Sequence, residues 1–347
     1  PFTGQSLSFD MLIEGLRERD CHPLVVDISR KGYKYSRLAL PFRLWDLLTA
    51  YISLLKYLFK LQQRTVYITI AQSRNGFLRD FIFIWSSIFF GSKIVVHLKG
   101  GNYDGFYKSQ GFMIRLLIKL TLKRTAKIIV LGKSLTRMFD FDPHLRRRIK
   151  VIHNGLPNNN RGRSKLLAVN QPVKILFLSN LIDSKGYLDV LRSIAILRDK
   201  YHIDAHGLFA GEFMRGDDDE ESSSPIQKRD NFYKLVNTLH LNERVTYFGT
   251  IAGDQKWEFL QDAHFFCLPT NYINEGQPVS VIEAMAFGCV VLSTEFRAIT
   301  DLIQNNVNGR FVRFSEPETI ATAINEVISG EKYNAMSKES IRIFEEK

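Results

Sequence analysis

Two glutamates draw attention in the segment 274–288, NEGQPVSVIEAMAFG, where Glu275 precedes Glu283 by eight residues. Glu275 is predicted to lie in a loop after a buried strand, and Glu283 on the helix that follows. Pro278 occupies a favoured first-turn position of that helix, and Gly276 lets a ligand approach the backbone closely. Because the first N–H groups of a helix carry partial positive charge, the segment predicts a phosphate-binding site.

A lysine is placed in a similar way earlier in the chain. The segment SNLIDSKG follows a predicted strand at 173–178, and its Lys185 lies where the next helix begins. A lysine at that point can supply positive charge to a diphosphate. Taken alone, Lys185 also fits an ordinary surface lysine.

These residues lie in loops that follow strands of an alternating α/β pattern. Continuous apolar runs, typical of parallel strands buried on both faces, alternate with amphipathic helical segments. The pattern occurs twice, before and after a polar segment at 157–173 that is typical of a linker. Ligands of open α/β sheets sit at the carboxyl ends of strands, so two facing domains would form a cleft there. In the first half, strands are predicted at 23–28, 66–71, 93–98, 126–131 and 149–153.

The segments resemble family 4 of the retaining GT-B glycosyltransferases, the glycosyl transferases group 1 family. The E-x7-E motif falls on Glu275 and Glu283, and the K-G pair after the first strand of the second domain falls on Lys185 and Gly186. VIHNGLP at 151–157 and VTYFGTI at 245–251 resemble two further elements of the family. The resemblance implies an α/β protein with two Rossmann-like domains facing a central cleft, an acceptor-side domain at 1–156 and a nucleotide-sugar domain at 157–347.

The resemblance also implies residue roles. Glu283 would bond the ribose hydroxyls, Glu275 would contact the donor sugar, and Lys185 would neutralise the diphosphate as the glycosidic bond breaks. Backbone contacts with the donor are implied at Gly276, Gln277 and Pro278 for the sugar and phosphates, and at Gly249, Thr250 and Ile251 near the base.

One position departs from the family pattern. Many members have an arginine five residues before this lysine, where the chain has Asn180. One positive charge on the diphosphate is then missing. Such a contact in a partly buried site is worth on the order of a few kcal/mol. Arg297 or Arg74 are candidates to replace it, so the departure bears on donor affinity.

The first half adds candidates of its own. Gly4 resembles the family's glycine loop, near the donor phosphates and the acceptor, and the strand that should precede it is expected to lie before Pro1, outside the given chain. His97 follows a strand, and in similar enzymes a histidine here contacts the donor sugar, although a structural histidine is the alternative. Gly100 to Asn102 would form an acceptor-side loop. Three aromatic residues beyond it either stack on a sugar or pack internally: Tyr103, Phe106 and Tyr107.

Composition bounds the partners. The 347 residues suit two domains, and the formal charge of +11 is uneven, with 26 Lys and Arg against 10 Asp and Glu through Gly155. A basic half is either a solvated face or attracted to anionic lipid, and the aromatic, basic segment 38–63 fits a membrane-surface helix or a core helix. No nucleic-acid fold signature accompanies the charge. The three cysteines are expected to be buried thiols in a reducing compartment.

We therefore expect a cytoplasmic hexosyltransferase, with peripheral contact at the inner face of the membrane. It would move a sugar from a UDP- or GDP-sugar, with retention and without a metal or other cofactor, to a carbohydrate or lipid-diphosphate-linked acceptor in bacterial surface-polysaccharide synthesis. Asp217 to Asp219 lie in an acidic insertion rather than after a strand, so they do not form a metal-binding D-x-D motif. Alternatives are a GT-B epimerase and a non-catalytic sugar-nucleotide-binding module. A Rossmann dehydrogenase is disfavoured because no G-x-G-x-x-G follows an early strand.

Overall fold

The computed structural model describes residues 4–28, 39–61, 64–157, 161–168, 171–217, 219 and 224–346. The chain forms two compact units, the first made of Pro1–Leu131 and Thr136–Ile152, the second of Gly132–Leu135 and His153–Lys347. The last crossing between them lies at residues 152 and 153, close to the boundary expected at 156 and 157.

The first unit is built on a four-stranded sheet in which every neighbouring pair is parallel, in the order β1-β2-β3-β4. Its strands are β1 Thr65–Thr69, β2 Lys93–His97, β3 Lys127–Val130 and β4 Ile149–Val151. Its helices are α1 Gly4–Arg17, α2 Ala39–Lys60, α3 Arg74–Phe89, α4 Tyr103–Ser109 and α5 Phe112–Arg124, with a 3₁₀ helix at Pro143–Arg148. A further 3₁₀ helix, Ser134–Phe139, has its first two residues in the second unit.

The second unit contains a six-stranded parallel sheet in the order β10-β9-β8-β5-β6-β7. Its strands are β5 Val173–Leu178, β6 Ala205–Ala210, β7 Val245–Tyr247, β8 Phe265–Leu268, β9 Val290–Ser293 and β10 Gly309–Phe311. Its helices are α6 Tyr187–Tyr201, α7 Pro225–Thr238, α8 Gly253–Asp262, α9 Val279–Ala286, α10 Pro317–Ser329 and α11 Tyr333–Glu346, with 3₁₀ helices at Asp183–Lys185 and Arg297–Asp301.

Burial explains the sheet of the second unit. Every residue of β8 and β9 is buried, as expected for parallel strands covered by helices on both faces. The carboxyl ends of these strands therefore meet at one edge of the sheet, where the loops that carry Lys185 and Glu275 begin.

The strand predicted at 23–28 is wrong. Residues 21–28 form neither helix nor strand, and Leu24 and Val25 are 49% and 44% exposed. Val26 and Ile28 instead pack against a small cluster formed mainly by α2. Val26 and Ile28 are thus partly buried by packing on a helix, and the segment forms no hydrogen-bond ladder with a neighbouring strand.

The segment predicted as a linker is attached to the second unit over residues 161–168. Lys165 is only 8% exposed, and its ammonium group donates to the carbonyl oxygens of Leu260, at 2.6 Å, and of Ala263. The Lys165 Nζ atom also lies 3.1 Å from the Cys289 thiol, and the N–H of Gly162 donates to Ala286 at 3.1 Å. Buried polar groups are satisfied here by backbone carbonyls, so this segment is a packed part of the unit.

A mainly apolar run at 81–90 lies almost wholly within α3. No helix in the described ranges is both long and apolar enough to span a bilayer. Cys267 and Cys289 are buried as expected, whereas Cys21 is exposed.

Candidate functional site

The loop after β5 places Lys185 at the edge of the second sheet. A single 3₁₀ turn, Asp183–Lys185, is followed by Gly186, whose backbone is left-handed with φ +74°. A Cβ atom on Gly186 would lie 2.5 Å from the carbonyl oxygen of Pro269. Only glycine therefore fits this turn, which ends beside the loop after β8 and directs Lys185 toward it.

Lys185 and Glu275, which are 90 residues apart in the sequence, form an ion pair. The Lys185 ammonium lies 3.3 Å from Glu275 Oε2, and both side chains are largely buried, at 15% and 8% exposed. Lys185 also donates to the Ser179 hydroxyl at 3.0 Å, and Glu275 accepts from the Thr270 hydroxyl at 3.2 Å. The ring of Tyr272 lies 5.4 Å from the ammonium. The arrangement holds one cation and one carboxylate ready for a ligand with both anionic and hydroxyl groups.

The turn that leads into α9 is fixed by side-chain bonds. Pro278 precedes the first residue of α9 with φ −64°, and Gly276, Gln277 and Pro278 are buried. Gln277 Oε1 accepts from the backbone N–H of Asn154 at 2.7 Å, and its Nε2 lies 2.7 Å from His153 Nδ1. The VIHNG element thus supports the loop whose backbone was predicted to contact the sugar and phosphates.

Glu283 belongs to a second ion pair. It lies on α9, is only 4% exposed, and its Oε1 accepts from the ammonium of Lys256 on α8 at 2.7 Å. Burial raises the pKa of Glu283, and Lys256 partly offsets this rise. Lys256 also lies 4.0 Å from the centroid of the Trp257 ring. The pairing stabilises Glu283 as a carboxylate in an environment that otherwise favours its protonated form.

The turn after β7 is the third part of this edge. Gly249 adopts φ +67°, and its carbonyl oxygen accepts from the N–H of Gly211 at 2.8 Å. Thr250 is exposed, and Ile251 is buried in the core. Asn180, at the carboxyl end of β5, is also exposed. All four positions follow strands, at the edge of the sheet where ligands of such folds bind. Their predicted contacts with the sugar nucleotide remain predictions.

The acidic insertion touches the same edge. Asp217 accepts hydrogen bonds from the Tyr272 hydroxyl, at 3.1 Å, and from the Asn274 amide, at 2.7 Å. Lys228, which is 3% exposed, pairs with Asp219 at 2.8 Å and with Asp183, next to Lys185. Asp217 and Asp219, which were not expected to form a metal-binding motif, thus contact the loops and helix around Lys185 and Glu275. No group of three or more His, Cys, Asp or Glu side chains in the described part of the chain is placed to hold a metal ion.

In the first unit, His97 ends β2 and is 6% exposed. Its Nδ1 lies 2.5 Å from the Tyr67 hydroxyl. Burial, together with the nearby positive charge of Lys99, lowers the pKa of His97 to about 3, so the ring is neutral at pH 7. The Nε2 atom is buried without a hydrogen-bond partner among the described residues. A neutral ring with one unused nitrogen can bind a hydroxyl group.

Lys99 and Gly4 belong to the same unit as His97. Lys99 donates to the Ser8 hydroxyl on α1 at 2.7 Å, and burial lowers the pKa of Lys99 to about 8. Gly4 is the first residue of α1, while Thr3, in the predicted glycine loop, lies outside the described residues. The aromatic residues after the 100–102 loop pack internally, since Tyr107 stacks on Phe141 with centroids 3.9 Å apart.

Several contacts of the site were not predicted from the sequence, namely those made by Lys256, Lys228, Tyr272 and Asn154. Each bridges segments that are distant along the chain, such as Lys256 and Glu283, 27 residues apart. No local spacing signals such a pair, although a lysine in the helix after the V-x-F-x-G element was visible in the sequence.

Comparison with known proteins identifies a matching family and several relatives. The model of the family "Glycosyl transferases group 1" matches residues 158–343. The uncharacterized glycosyltransferase MJ1607 of Methanocaldococcus jannaschii is 23% identical in an alignment of 244 residues that covers 66% of this chain and 57% of that protein. The capsular polysaccharide biosynthesis glycosyltransferase CapH of Staphylococcus aureus is 20% identical over 240 residues, 69% of this chain and 62% of CapH. The chain thus spans less than two thirds of the length of these relatives.

The fold recurs in a solved structure. The Anabaena protein Alr3699/HepE in complex with UDP has a TM-score of 0.68 at 16% identity, covering 85% of this chain and 78% of that chain. The same protein in complex with UDP-glucose gives a TM-score of 0.65, over 85% and 77% of the two chains. The predicted α/β class with two Rossmann-like domains, the GT-B fold, is confirmed, and the cleft between the domains stays a prediction.

The matched residues contain both ion pairs of the second unit, Lys185 with Glu275 and Lys256 with Glu283. Because the family model matches more than half of the chain, the chain belongs to the glycosyl transferases group 1 family.

Proposed function

We propose that the chain transfers a sugar from a nucleotide-diphosphate sugar to a carbohydrate or lipid-linked acceptor, with retained anomeric configuration and without a metal ion. The observation that carries this proposal is the largely buried pair of Lys185 and Glu275 beside the start of α9. A cation and helix N–H groups suit a diphosphate, and a carboxylate suits the hydroxyl groups of a sugar.

The donor is a UDP- or GDP-sugar in this proposal. HepE has been solved with UDP and with UDP-glucose, which favours a uridine nucleotide. Lys185 would exchange its partner on binding, from the carboxylate of Glu275 to the diphosphate oxygens. Glu275 would then be free to accept a hydrogen bond from the sugar, and Glu283 from the ribose.

The reaction needs charge stabilisation at one place. As the bond between the anomeric carbon and the diphosphate oxygen breaks, negative charge grows on the leaving group. Lys185 and the N–H groups at the start of α9 are fixed in advance to receive that charge. The acceptor oxygen forms its bond to the anomeric carbon on the same face, and its proton passes to the leaving diphosphate. This proposed step needs no covalent enzyme intermediate and no metal ion.

The acceptor is proposed from the first unit and from CapH, a protein of capsular polysaccharide biosynthesis. We infer a role in bacterial surface-polysaccharide synthesis at the inner face of the membrane. Trp45, Leu48 and Ile52 of α2 are 64%, 48% and 42% exposed, on the side of the helix opposite to the buried Ala50 and Leu54. Exposed apolar side chains on a basic unit fit contact with an anionic bilayer.

Donor turnover tests the proposal. The purified chain is incubated with a panel of nucleotide sugars, and released nucleotide diphosphate is measured with and without a chelator. We expect Lys185→Ala to reduce turnover by at least about 100-fold, as for loss of a key charge-stabilising group. Lys174→Ala is the matched control, because Lys174 lies on β5, the strand that precedes the Lys185 turn, and pairs with Asp262 near the surface.

The possible results separate the alternatives. Near-normal turnover by Lys185→Ala would remove the assigned role of Lys185, and loss of activity in chelator that Mg²⁺ restores would contradict the metal-free reaction. Product analysis distinguishes transfer from epimerisation. Donor binding without turnover of any sugar nucleotide would leave a binding module.

A further inference from the structure

A basic cavity in the first unit lies apart from the residues discussed so far. Its volume is about 620 Å³, and five of the six residues that line it carry basic side chains. The lining residues are Lys123, Ala126, Lys127, His144, Arg147 and Arg148.

Local structure gathers these side chains from three consecutive elements. Lys123 is in the last turn of α5, Lys127 begins β3, and the other three lie on the 3₁₀ helix Pro143–Arg148. Lys127 is at the start of its strand, and His97 is at the end of the parallel neighbour β2. The cavity and His97 therefore lie at opposite ends of the strands.

The charges of the cavity are poorly balanced. Asp142 pairs with Lys123 at 3.0 Å, and the Arg148 guanidinium donates to the carbonyl oxygen of Thr125. Lys127 and Arg147 are both exposed, and neither side chain forms an ion pair or hydrogen bond with any residue that the structure describes. Like charges that line one cavity repel one another, so an anion that enters the cavity offsets this repulsion.

Size and donor type indicate the anion. Guanidinium and ammonium groups together are the usual ligands of phosphate oxygens. A cavity of about 620 Å³ falls within the roughly 300–1,000 Å³ of sites for organic ligands, and is larger than a bare ion requires. We propose that this cavity is a binding site for a phosphate group carried by a larger molecule, separate from the sugar-nucleotide site.

The helix that contributes Lys123 favours one source of that phosphate. Phe112, Met113 and Leu120 on α5 are 78%, 64% and 43% exposed, and this apolar side leads toward the cavity at the end of the helix. Apolar side chains beside phosphate-binding groups match the layered chemistry of a membrane surface. The phosphate of an anionic lipid is thus the expected ligand, and a soluble organic phosphate has the same recognition chemistry.

Two binding measurements distinguish these sources in the full chain. In one, the chain is sedimented with phosphatidylcholine vesicles that do or do not contain phosphatidylglycerol. In the other, glycerol 3-phosphate is titrated by calorimetry at constant ionic strength. The test variant is Lys127→Gln with Arg147→Gln, because both side chains line the cavity and hold no other structure together.

The matched control removes the same charge outside the cavity. Arg146→Gln with Lys150→Gln changes exposed residues of the same region, and neither lines the cavity. We expect the test variant to lose affinity for phosphatidylglycerol vesicles at least about tenfold, as for loss of two charged hydrogen bonds, and the control to lose clearly less.

Each possible result supports or overturns the proposed phosphate site. A loss specific to the test variant with vesicles assigns the site to lipid, and a specific loss with glycerol 3-phosphate assigns it to a soluble phosphate. Equal losses in both double variants would mean diffuse attraction by a basic surface, and no binding of either probe would also overturn the proposal. Donor turnover by the same variants does not enter this test, so its outcome is independent of the proposed sugar transfer.

Discussion

At the scale of single residues, Lys256 stabilises the ionised form of Glu283. The two side chains are 2.7 Å apart, and burial would otherwise favour the protonated carboxyl. A protonated Glu283 could not accept hydrogen bonds from two ribose hydroxyls as a carboxylate does. Lys256 is therefore a positioning residue for the proposed donor site.

Replacing Lys256 by methionine tests this role while keeping the packing against Trp257. The pKa of Glu283 should rise further, so donor binding at neutral pH should weaken about tenfold, as for loss of one charged hydrogen bond. The measurement is the KM for the donor as a function of pH, with Lys200→Met as the control.

The pH dependence separates positioning from mere packing. In Lys256→Met the KM should fall again as the pH rises and Glu283 ionises, with kcat little changed. A lower melting temperature with a KM that does not respond to pH would reduce Lys256 to a structural role.

Lys99 makes a prediction about stability in the first unit. Burial lowers its pKa from 10.5 to about 8, so between these values the unfolded chain binds more protons than the folded chain. Lys99 therefore opposes folding below pH 8, and this penalty disappears as the pH rises from 8 towards 10.5. Since the side chain is partly exposed, we discount the effect to about 1 kcal/mol at pH 7.

Denaturant unfolding at several pH values checks this prediction with Lys99→Met. The variant should be more stable than the parent at pH 7, and the difference should shrink above pH 8. Lys93→Met, at the exposed start of β2, the strand that precedes Lys99, should show no such trend. A stability difference that is constant with pH would contradict the altered ionisation of Lys99.

At the scale of elements, continuous apolar runs predicted the strands β1 to β5, and the helix that carries Glu283, α9, was predicted from its flanking residues. Among the elements that were missed are β10, α4 and α11. The buried face of α11 includes Ser337 and Ser340, whose hydroxyls donate to the carbonyl oxygens of Gly288 and Cys289 at 2.7 and 2.8 Å. Serines on the inner face interrupt the apolar periodicity, so tertiary hydrogen bonds that the sequence does not reveal hold this helix in place.

The candidate site divides in the same way. The positions of Lys185, Glu275 and Glu283 on loops and helices followed from motifs and strand order. Their partners did not, because Lys256 and Asp217 approach from segments that are distant in the sequence. Contacts of this kind depend on the register of several packed elements at once.

The left-handed turn at Gly186 is an element with a measurable role. Gly186→Ala would force a Cβ atom against the Pro269 carbonyl at 2.5 Å in addition to the unfavourable φ. We expect a loss of more than about 2 kcal/mol of unfolding free energy, with reduced donor binding because Lys185 precedes this turn.

Gly253→Ala is the matched control for this substitution. Gly253 has φ +57°, and a Cβ atom there would meet nothing within 4 Å. It should therefore lose only about 1 kcal/mol from backbone strain. Equal losses in thermal or denaturant unfolding would mean that the close approach to Pro269 is unimportant.

At the scale of the whole molecule, charge and chemistry are divided between the two units. The whole excess of basic residues lies in the first 155 residues, because residues 156–347 contain 21 Lys and Arg against 26 Asp and Glu. The family match covers 158–343. A basic first unit is suited to anionic surfaces, and its attraction acts over the Debye length of the solution.

Vesicle binding should therefore depend on salt. Sedimentation with phosphatidylglycerol vesicles should weaken several-fold between low and physiological ionic strength, because screening shortens the range of the attraction to about 8 Å. Pure phosphatidylcholine vesicles are the control and should bind weakly at either salt concentration. Tight binding that persists unchanged in high salt would indicate apolar insertion rather than charge as the main attraction.

The attachment of residues 161–168 has a consequence for exchanging halves between related enzymes. Lys165 fills a pocket of carbonyl oxygens that belongs to α8 and the residue after it, so a hybrid joined at Val173 would combine those acceptors with a foreign segment. A junction before Gly162 would carry the matching lysine along with its acceptors. In this chain, the junction for such a hybrid therefore belongs before Gly162 rather than at the end of the polar segment 157–173.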